Sequence, residues 1–298
     1  MFSGTSLDEL VAHLEERQAS VFHTCQLHDL PSYFGLGGIP SHAHLEAHRA
    51  RYTPMDTDFI DKVNGVWDKV FVNLVDFGRV FAQGGCATPS CFGPVNIQIH
   101  PAALLEAEDV AICLRSAGAE GFDRRRESLT EVAQVDRLFR YPAASPFPRS
   151  IEFKVGDSLK NEFGRSSVPE LSCTVTSGRL SLDRAVVIWV DPYSVNGEAL
   201  VDQVCGLVNQ YGLNCCVKER FCRQERKPLY NEFAHLAMND MYTLDAILAS
   251  PEISNELRAF LGDLQARGPL YQLDRYLRYL RSGTLNSTGK TSGIRQRT

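Results

Sequence analysis

Hydrophobic and polar positions repeat along the chain with two periods, and these periods predict its elements. Apolar residues recur at helical spacing over residues 7–14 and again over 197–211. Between these helices, short stretches alternate between apolar and polar residues or run apolar throughout, as strands do. The predicted strands are residues 66–74, 95–99, 110–114, 171–175, 185–190 and 214–218. Helical patterns return over 229–249 and 252–282, so the chain is predicted to be α+β with a helical C-terminus.

One stretch, Val21 to Ser41, places several features of a ligand site close together. A short apolar strand ends in His23 and Thr24, and a brief helix follows with Pro31 in its first turn, where a missing N–H costs nothing. A glycine-rich turn ends that helix, because glycine reaches positive φ at little cost. A histidine at a strand end therefore faces a helix start and a glycine turn, which suits a small polar ligand.

Composition narrows the class of protein. The chain of 298 residues is 44% hydrophobic and 22% charged, as is ordinary for a soluble globular protein. A formal net charge of −5 gives no overall basic field for nucleic acid. Basic clusters at 124–126, at 218–227 and in the tail could contact phosphates, although each is more simply a charged helix face.

Membrane and secretory classes are not predicted. No apolar run reaches the ~18 residues that span a bilayer, and residues 1–17 lack the basic-then-apolar order of a signal peptide. The nine cysteines are scattered and include no C-x-x-C pair. We therefore expect free thiols and a cytoplasmic protein with no membrane partner.

Several common catalytic and metal motifs are missing from the sequence. The glycines of residues 35–38 follow a helix rather than a strand, and no P-loop or Gly-x-Ser-x-Gly turn occurs. His44 and His48 share a helix face near His42, but no H-E-x-x-H motif and no cysteine at ligand spacing accompanies them. The prediction is therefore a solvated polar helix with no metal site.

The stretch around His23 resembles the opening of the DarT-like ADP-ribosyltransferases, a family that uses NAD. In both, a strand carrying His-Thr precedes a Leu-Pro-Ser helix, a glycine turn and a serine, here Ser41. Arg49 and Arg51 follow the turn, where such enzymes carry an arginine that covers NAD. The resemblance implies that His23 and Thr24 bind NAD, with further contacts from Ser41 and Arg49. The pyrophosphate needs a cation or backbone N–H groups, and Arg51 or Arg49 could serve. We predict that Arg51 clamps NAD and is catalytic.

The resemblance continues downstream and spans about residues 20–192, judged on pattern. Residues 92–97 resemble the family's central strand, and Glu170 opens a short strand that a turn and an apolar strand follow. The resemblance implies that Glu170 is catalytic. A carboxylate suits this chemistry, because cleavage of the nicotinamide–ribose bond passes through an oxocarbenium-like ribose. Glu232 and Glu152 are rival carboxylates.

The predicted fold is an ADP-ribosyltransferase-like split antiparallel sheet with flanking helices. Residues 1–225 are predicted to form the catalytic domain, 226–282 a helical C-terminal extension and 283–298 a disordered tail. The interpretation requires His23, Arg51 and Glu170 to converge on one cleft.

The resemblance implies a toxin or anti-phage effector that uses NAD to modify DNA or RNA. An antitoxin or chaperone is a candidate partner, whose existence the sequence does not show. Two alternatives remain open. The first is transfer of ADP-ribose to a protein side chain, and the second is a non-enzymatic module that binds NAD or a partner.

Overall fold

The structure of the chain, a computed structural model, describes most of the sequence. The described residues are 1–54, 58–76, 78–79, 92–114, 116–119, 121–139, 169–222, 227–238 and 244–267. The helices are α1 (Thr5–Glu16), α2 (Leu30–Leu36), α3 (His42–Ala47), α4 (Asp58–Val63), α5 (Arg124–Glu127), α6 (Val132–Asp136), α7 (Leu200–Gln210), α8 (Lys227–Met238), α9 (Leu244–Ala249) and α10 (Asn255–Arg267). The predicted tail, 283–298, and the rival carboxylate Glu152 lie outside the described residues.

Twelve short strands are present in the described part of the chain. They are β1 (Val21–Cys25), β2 (Gly38–Pro40), β3 (Val70–Asn73), β4 (Val95–Ile99), β5 (Asp109–Cys113), β6 (Ser128–Leu129), β7 (Glu170–Thr174), β8 (Arg179–Ser181), β9 (Ala185–Val190), β10 (Ser194–Val195), β11 (Glu198–Ala199) and β12 (Cys216–Glu219). Eight of them form one sheet in the order β12-β9-β4-β1-β3-β7-β5-β6, while β2 pairs with β8 and β10 with β11.

The main sheet is mostly antiparallel, with helices flanking it, so the α+β class is confirmed. One pair, β12 with β9, runs parallel and departs from the predicted antiparallel sheet. The cause is α7, which lies between these two strands in the chain and carries it back along the sheet, as parallel pairing requires.

The sheet has a narrow point at its centre. Within the described residues, β1 and β3 share one registered pair, Phe22 with Asn73, whereas β1 and β4 pair along all five residues of both strands. The strands therefore form two well-paired halves, β12-β9-β4-β1 and β3-β7-β5-β6, that meet at this pair. His23 is the next residue after the contact.

One large hydrophobic core joins the sheet to α1, α2 and α7. Leu10 of α1, Leu30 of α2 and Val204 of α7 are fully buried in the same cluster as alternate residues of the central strands, such as Ile97 and Ile188. The C-terminal helices have a separate cluster, formed by Phe233, Leu236, Ile247, Leu257 and their neighbours. No helix in the described part of the chain combines the length and the apolar composition needed to cross a bilayer.

Candidate active site

His23 lies where β1 and β3 diverge. Its Nδ1 is 2.9 Å from the Phe71 carbonyl oxygen, and its Nε2 is 3.3 Å from the Tyr33 hydroxyl. Burial lowers the pKa of His23 to about 4, so the imidazole is neutral near pH 7. Since a carbonyl only accepts, the single N–H is on Nδ1 and donates to Phe71. Nε2 then accepts from Tyr33, and both contacts fix the ring.

Glu170 opens β7 in the same cross-strand row as Phe22 and Asn73. Two strand spacings of ~4.8 Å separate β1 from β7 along this row, or about 10 Å. Its Oε1 accepts a hydrogen bond of 2.9 Å from the Ala117 N–H. Burial raises the pKa of Glu170 to about 7 against the effect of this bond, and the charge of Asp61 adds to the rise.

Two residues that the sequence did not single out as a pair, His42 and Asp61, belong to the same electrostatic cluster. The pKa of His23 depends mainly on burial and on the Phe71 bond. The charge of His42 lowers this pKa further. Asp61 acts on Glu170, and His42 Nδ1 lies 4.0 Å from Asp61 Oδ2. His23 and Glu170 are therefore each within electrostatic range of one member of the pair His42 and Asp61.

The cluster contains groups suited to proton transfer. Burial raises the pKa of Asp61 to about 7, and the charge of Asp58 contributes to the rise. Burial lowers the pKa of His42 to about 4. Two carboxyl groups that titrate near neutrality, beside two neutral imidazoles, are typical of sites where protons are exchanged.

The predicted NAD contacts other than His23 have partners within the fold or lie at its surface. The Thr24 hydroxyl accepts a hydrogen bond of 2.8 Å from the Asn96 side chain. Ser41 is buried, and its hydroxyl caps α3 by accepting from the His44 N–H at 3.2 Å. Arg49 is exposed and has a positive φ of 52° just beyond the end of α3.

Arg51 lies in a surface groove of about 750 Å³. The groove is lined by residues after β1 and by residues of α7 and α8, among them His28, Gln203 and His235. Among the described residues that line it are neither His23 nor Glu170. The strands of His23 and Glu170 are therefore separated only by β3. Arg51 lies in a groove that neither of these residues lines.

The segment around Arg51 contacts both regions. The Tyr52 ring packs against the His42 ring, with centroids 5.3 Å apart. On the other side, the Thr53 hydroxyl is 2.6 Å from His28 Nε2, and its N–H donates to Asp29. Residues 51–53 thus lie beside the groove and beside the cluster of His42 and Asp61.

The rival carboxylate Glu232 accepts hydrogen bonds at the start of a helix. Its two carboxylate oxygens accept from the Ser254 N–H at 2.6 Å and from the Ser254 hydroxyl at 2.7 Å, just before α10. Bonds of this kind satisfy N–H groups that a helix start leaves without partners. Glu232 therefore has a structural role in joining α8 to α10.

A possible ligand set for a metal differs from the histidine pattern considered in the sequence. His44 and His48 stack on each other with ring centroids 4.1 Å apart. His42 instead groups with Asp58 and Asp61, and one ligand atom from each lies within 4.8 Å of the others. Spacing along the sequence gave no signal for this set, because α4 approaches α3 only in the folded chain.

Comparisons with known proteins do not identify a function for this chain. Searches of protein-family models and of curated proteins find no match to this chain. We therefore infer the function from the residues themselves, since sites rather than folds determine chemistry.

Proposed function

We propose that the protein is an NAD-dependent ADP-ribosyltransferase that modifies DNA or RNA. The observation that carries this proposal is the position of Glu170, a half-buried carboxylate that opens β7, because β3 alone separates β7 from the strand of His23. The narrow contact between β1 and β3, at which the sheet divides into two halves, supports the same assignment.

His23 suits the nicotinamide ribose. A neutral imidazole does not repel the positive charge that develops on the ribose when its bond to nicotinamide breaks. The bond to the Phe71 carbonyl orients the ring and keeps the proton on Nδ1, so Nε2 is the atom that accepts from a ribose hydroxyl. Tyr33, which bonds Nε2 in the free protein, gives way or shares the acceptor.

Glu170 suits the catalytic step. In its ionised form the carboxylate stabilises the oxocarbenium-like ribose, and it takes the proton that the acceptor loses as the new bond forms. A pKa near 7, raised by burial, is matched to this role as a base at neutral pH. The Ala117 N–H donates to one carboxylate oxygen, and the Ser116 side chain also hydrogen-bonds this carboxylate, so both contacts orient it.

Arg51 contacts the pyrophosphate in this proposal. Its groove, of about 750 Å³, falls within the range of small-molecule sites. A guanidinium forms strong, paired hydrogen bonds with phosphate oxygens. The dinucleotide then runs along residues 51–53, from the carboxylates beside His42 to the groove beside His28, with Thr24, Ser41 and Arg49 near its path.

The acceptor and the biological role are proposed from the resemblance to DarT-like enzymes. They are a nucleic-acid base, a toxin or anti-phage activity, and a partner protein such as an antitoxin or chaperone. The basic cluster Arg124 to Arg126 is partly exposed and offers contacts to phosphates.

A transfer experiment with NAD radiolabelled on its adenylate phosphate tests this function. We expect label to appear on DNA or RNA when each is incubated separately with the protein, and nicotinamide to be released in parallel. Label on lysate protein alone would reject the nucleic-acid acceptor and keep the chemistry. Release of no nicotinamide with any acceptor would contradict an ADP-ribosyltransferase.

A non-enzymatic NAD-binding module gives a different combination of results. In that case NAD raises the melting temperature, as any ligand of the native state does, while no label is transferred. A protein that shows neither a thermal shift nor transfer is not an NAD protein at all.

A further inference from the structure

His42 and Asp61 face each other across a distance that no hydrogen bond spans. His42 Nδ1 and Asp61 Oδ2 are 4.0 Å apart, beyond the limit of about 3.2 Å for such a bond. In the part of the chain that the structure describes, neither of these two side chains forms a hydrogen bond. Their exposed fractions are nevertheless small, 27% for His42 and 17% for Asp61. Both present unused lone pairs in a site that is largely shielded from water.

Both side chains are held in place by packing. The His42 ring lies against Trp67, with centroids 4.5 Å apart, and against Tyr52 on another side. Asp61 Oδ1 lies so close to Gly118 that a Cβ at that position would clash with it. These contacts fix the imidazole and the carboxylate on opposite sides of a small gap.

A second carboxylate lies at this gap. Asp58 lies one turn before Asp61 on α4, and its carboxylate completes a group of three ligand atoms within 4.8 Å of one another. The neighbouring cation Lys62 points to another partner, since its Nζ bonds Glu46 at 3.0 Å and lies over the Trp67 ring at 4.2 Å. Bringing carboxylates together in a shielded site is costly unless a positive charge lies between them.

We propose that His42, Asp58 and Asp61 bind a divalent transition-metal cation such as Zn²⁺ or Mn²⁺. One imidazole nitrogen and two carboxylate oxygens form a borderline donor set that these ions accept. At metal–ligand distances of about 2.0–2.2 Å, two ligands lie about 3–4.3 Å apart, so the side chains need to move by less than about 1 Å. Three protein ligands leave at least one coordination position for water or substrate.

The proposal of this metal site does not rest on NAD cleavage, although the site adjoins the proposed active site. Asp61 lies against Gly118, and the preceding residue, Ala117, donates to Glu170. A cation held by Asp61 therefore lies beside the backbone segment that positions the Glu170 carboxylate. Binding of the metal can be measured without any NAD reaction, so the two proposals fail separately.

Calorimetric titration of the metal-stripped full chain with Zn²⁺ or Mn²⁺ tests the proposal. We expect one equivalent of cation to bind and His42→Gln and Asp61→Asn each to weaken binding by about tenfold or more, since even residues behind the ligands have effects of that size. His48→Gln is the matched control, because it removes an imidazole just beyond α3 that is outside the ligand set.

Three outcomes would contradict the proposal of a metal site at His42, Asp58 and Asp61. These outcomes are no saturable binding at millimolar cation, equal binding by the wild type and both ligand variants, and loss of binding in His48→Gln alone. The last result would assign the metal to the stacked pair His44 and His48. Circular dichroism checks the fold of each variant, and Asp58→Asn replaces Asp61→Asn if the latter does not fold.

Discussion

Replacing Glu170 with Gln is expected to lower the rate of nicotinamide release from NAD by about 10²–10⁴-fold, the range for a positioned acid or base. The amide keeps an oxygen that accepts from the Ala117 N–H, so this hydrogen bond is preserved. It carries no charge to stabilise the ribose and takes no proton from the acceptor. Nicotinamide release by liquid chromatography measures the effect.

A matched substitution separates the role of Glu170 from a general loss of acidic charge. Glu9→Gln changes an exposed carboxylate on α1 and is expected to leave the rate unchanged. If Glu170→Gln turns over NAD as fast as Glu9→Gln does, the catalytic assignment of Glu170 is wrong.

Urea denaturation checks that Glu170→Gln still folds. The change that the substitution makes in the free energy of unfolding depends on pH. The pKa of Glu170 rises on folding from 4.5 to about 7 because of burial, so between these values the folded state binds more protons than the unfolded state. Glu170 therefore contributes stability below pH 4.5 that is lost as the pH rises through about 7. The Gln variant does not titrate. Urea denaturation at acidic and at alkaline pH should show it gaining stability relative to the wild type as the pH rises.

Replacing Arg220 with Ala is expected to reduce the free energy of unfolding by about 3–5 kcal/mol. Arg220 Nη1 bonds Asp191 at 2.6 Å and Nη2 bonds Asp76 at 2.9 Å. The side chains of Arg220 and Asp191 are only 4% and 1% exposed. Removal of the guanidinium leaves two carboxylates in a shielded site without their cation, which is the costly way to break a buried ion pair.

The same network links the sheet to the C-terminal helices. Asp191, directly after β9, also accepts a hydrogen bond of 3.0 Å from the Asn231 side chain on α8. Urea denaturation measures the loss, and Arg126→Ala is the control. Arg126 is 87% exposed and pairs with Asp123 at 3.6 Å, so its loss should cost at most about 1 kcal/mol. Equal losses in the two variants would contradict a stabilising role for the Arg220 network.

Local patterns predicted most elements of the fold because burial there follows the period of the element. The alternation in residues 95–99 and the branched run in 185–190 correspond to β4 and β9 with little change. The predicted strand 66–74 shortens to Val70–Asn73. Val66 is instead buried in a second cluster with Ala111 and Ala117, a tertiary contact that alternation does not encode.

Local sequence patterns do not determine the order of the strands in the sheet. Whether Glu170 lies near His23 depends on β3 being inserted between β1 and β7. Residues far apart in the chain determine this order, and the resemblance was the sole source for it. The parallel pairing of β12 was missed for the same reason.

The sequence also missed His42 and Asp61 as members of the candidate site. Both lie in charged segments that are typical of solvated surfaces. They lose water only when Trp67 and Gly118 pack against them, and those contacts come from distant segments. The groove of Arg51 was hidden in the same way, since Gln203 and His235 belong to a region without a counterpart in the resemblance.

A crystal structure of Glu170→Gln with NAD tests the central claim most directly, because the slow variant retains intact substrate. We predict that the nicotinamide ribose lies within hydrogen-bonding distance of both His23 Nε2 and the amide that replaces the Glu170 carboxylate, with the pyrophosphate beside Arg51. NAD bound only in the Arg51 groove, with its ribose away from residues 23 and 170, or no NAD at saturating concentration, would contradict the account.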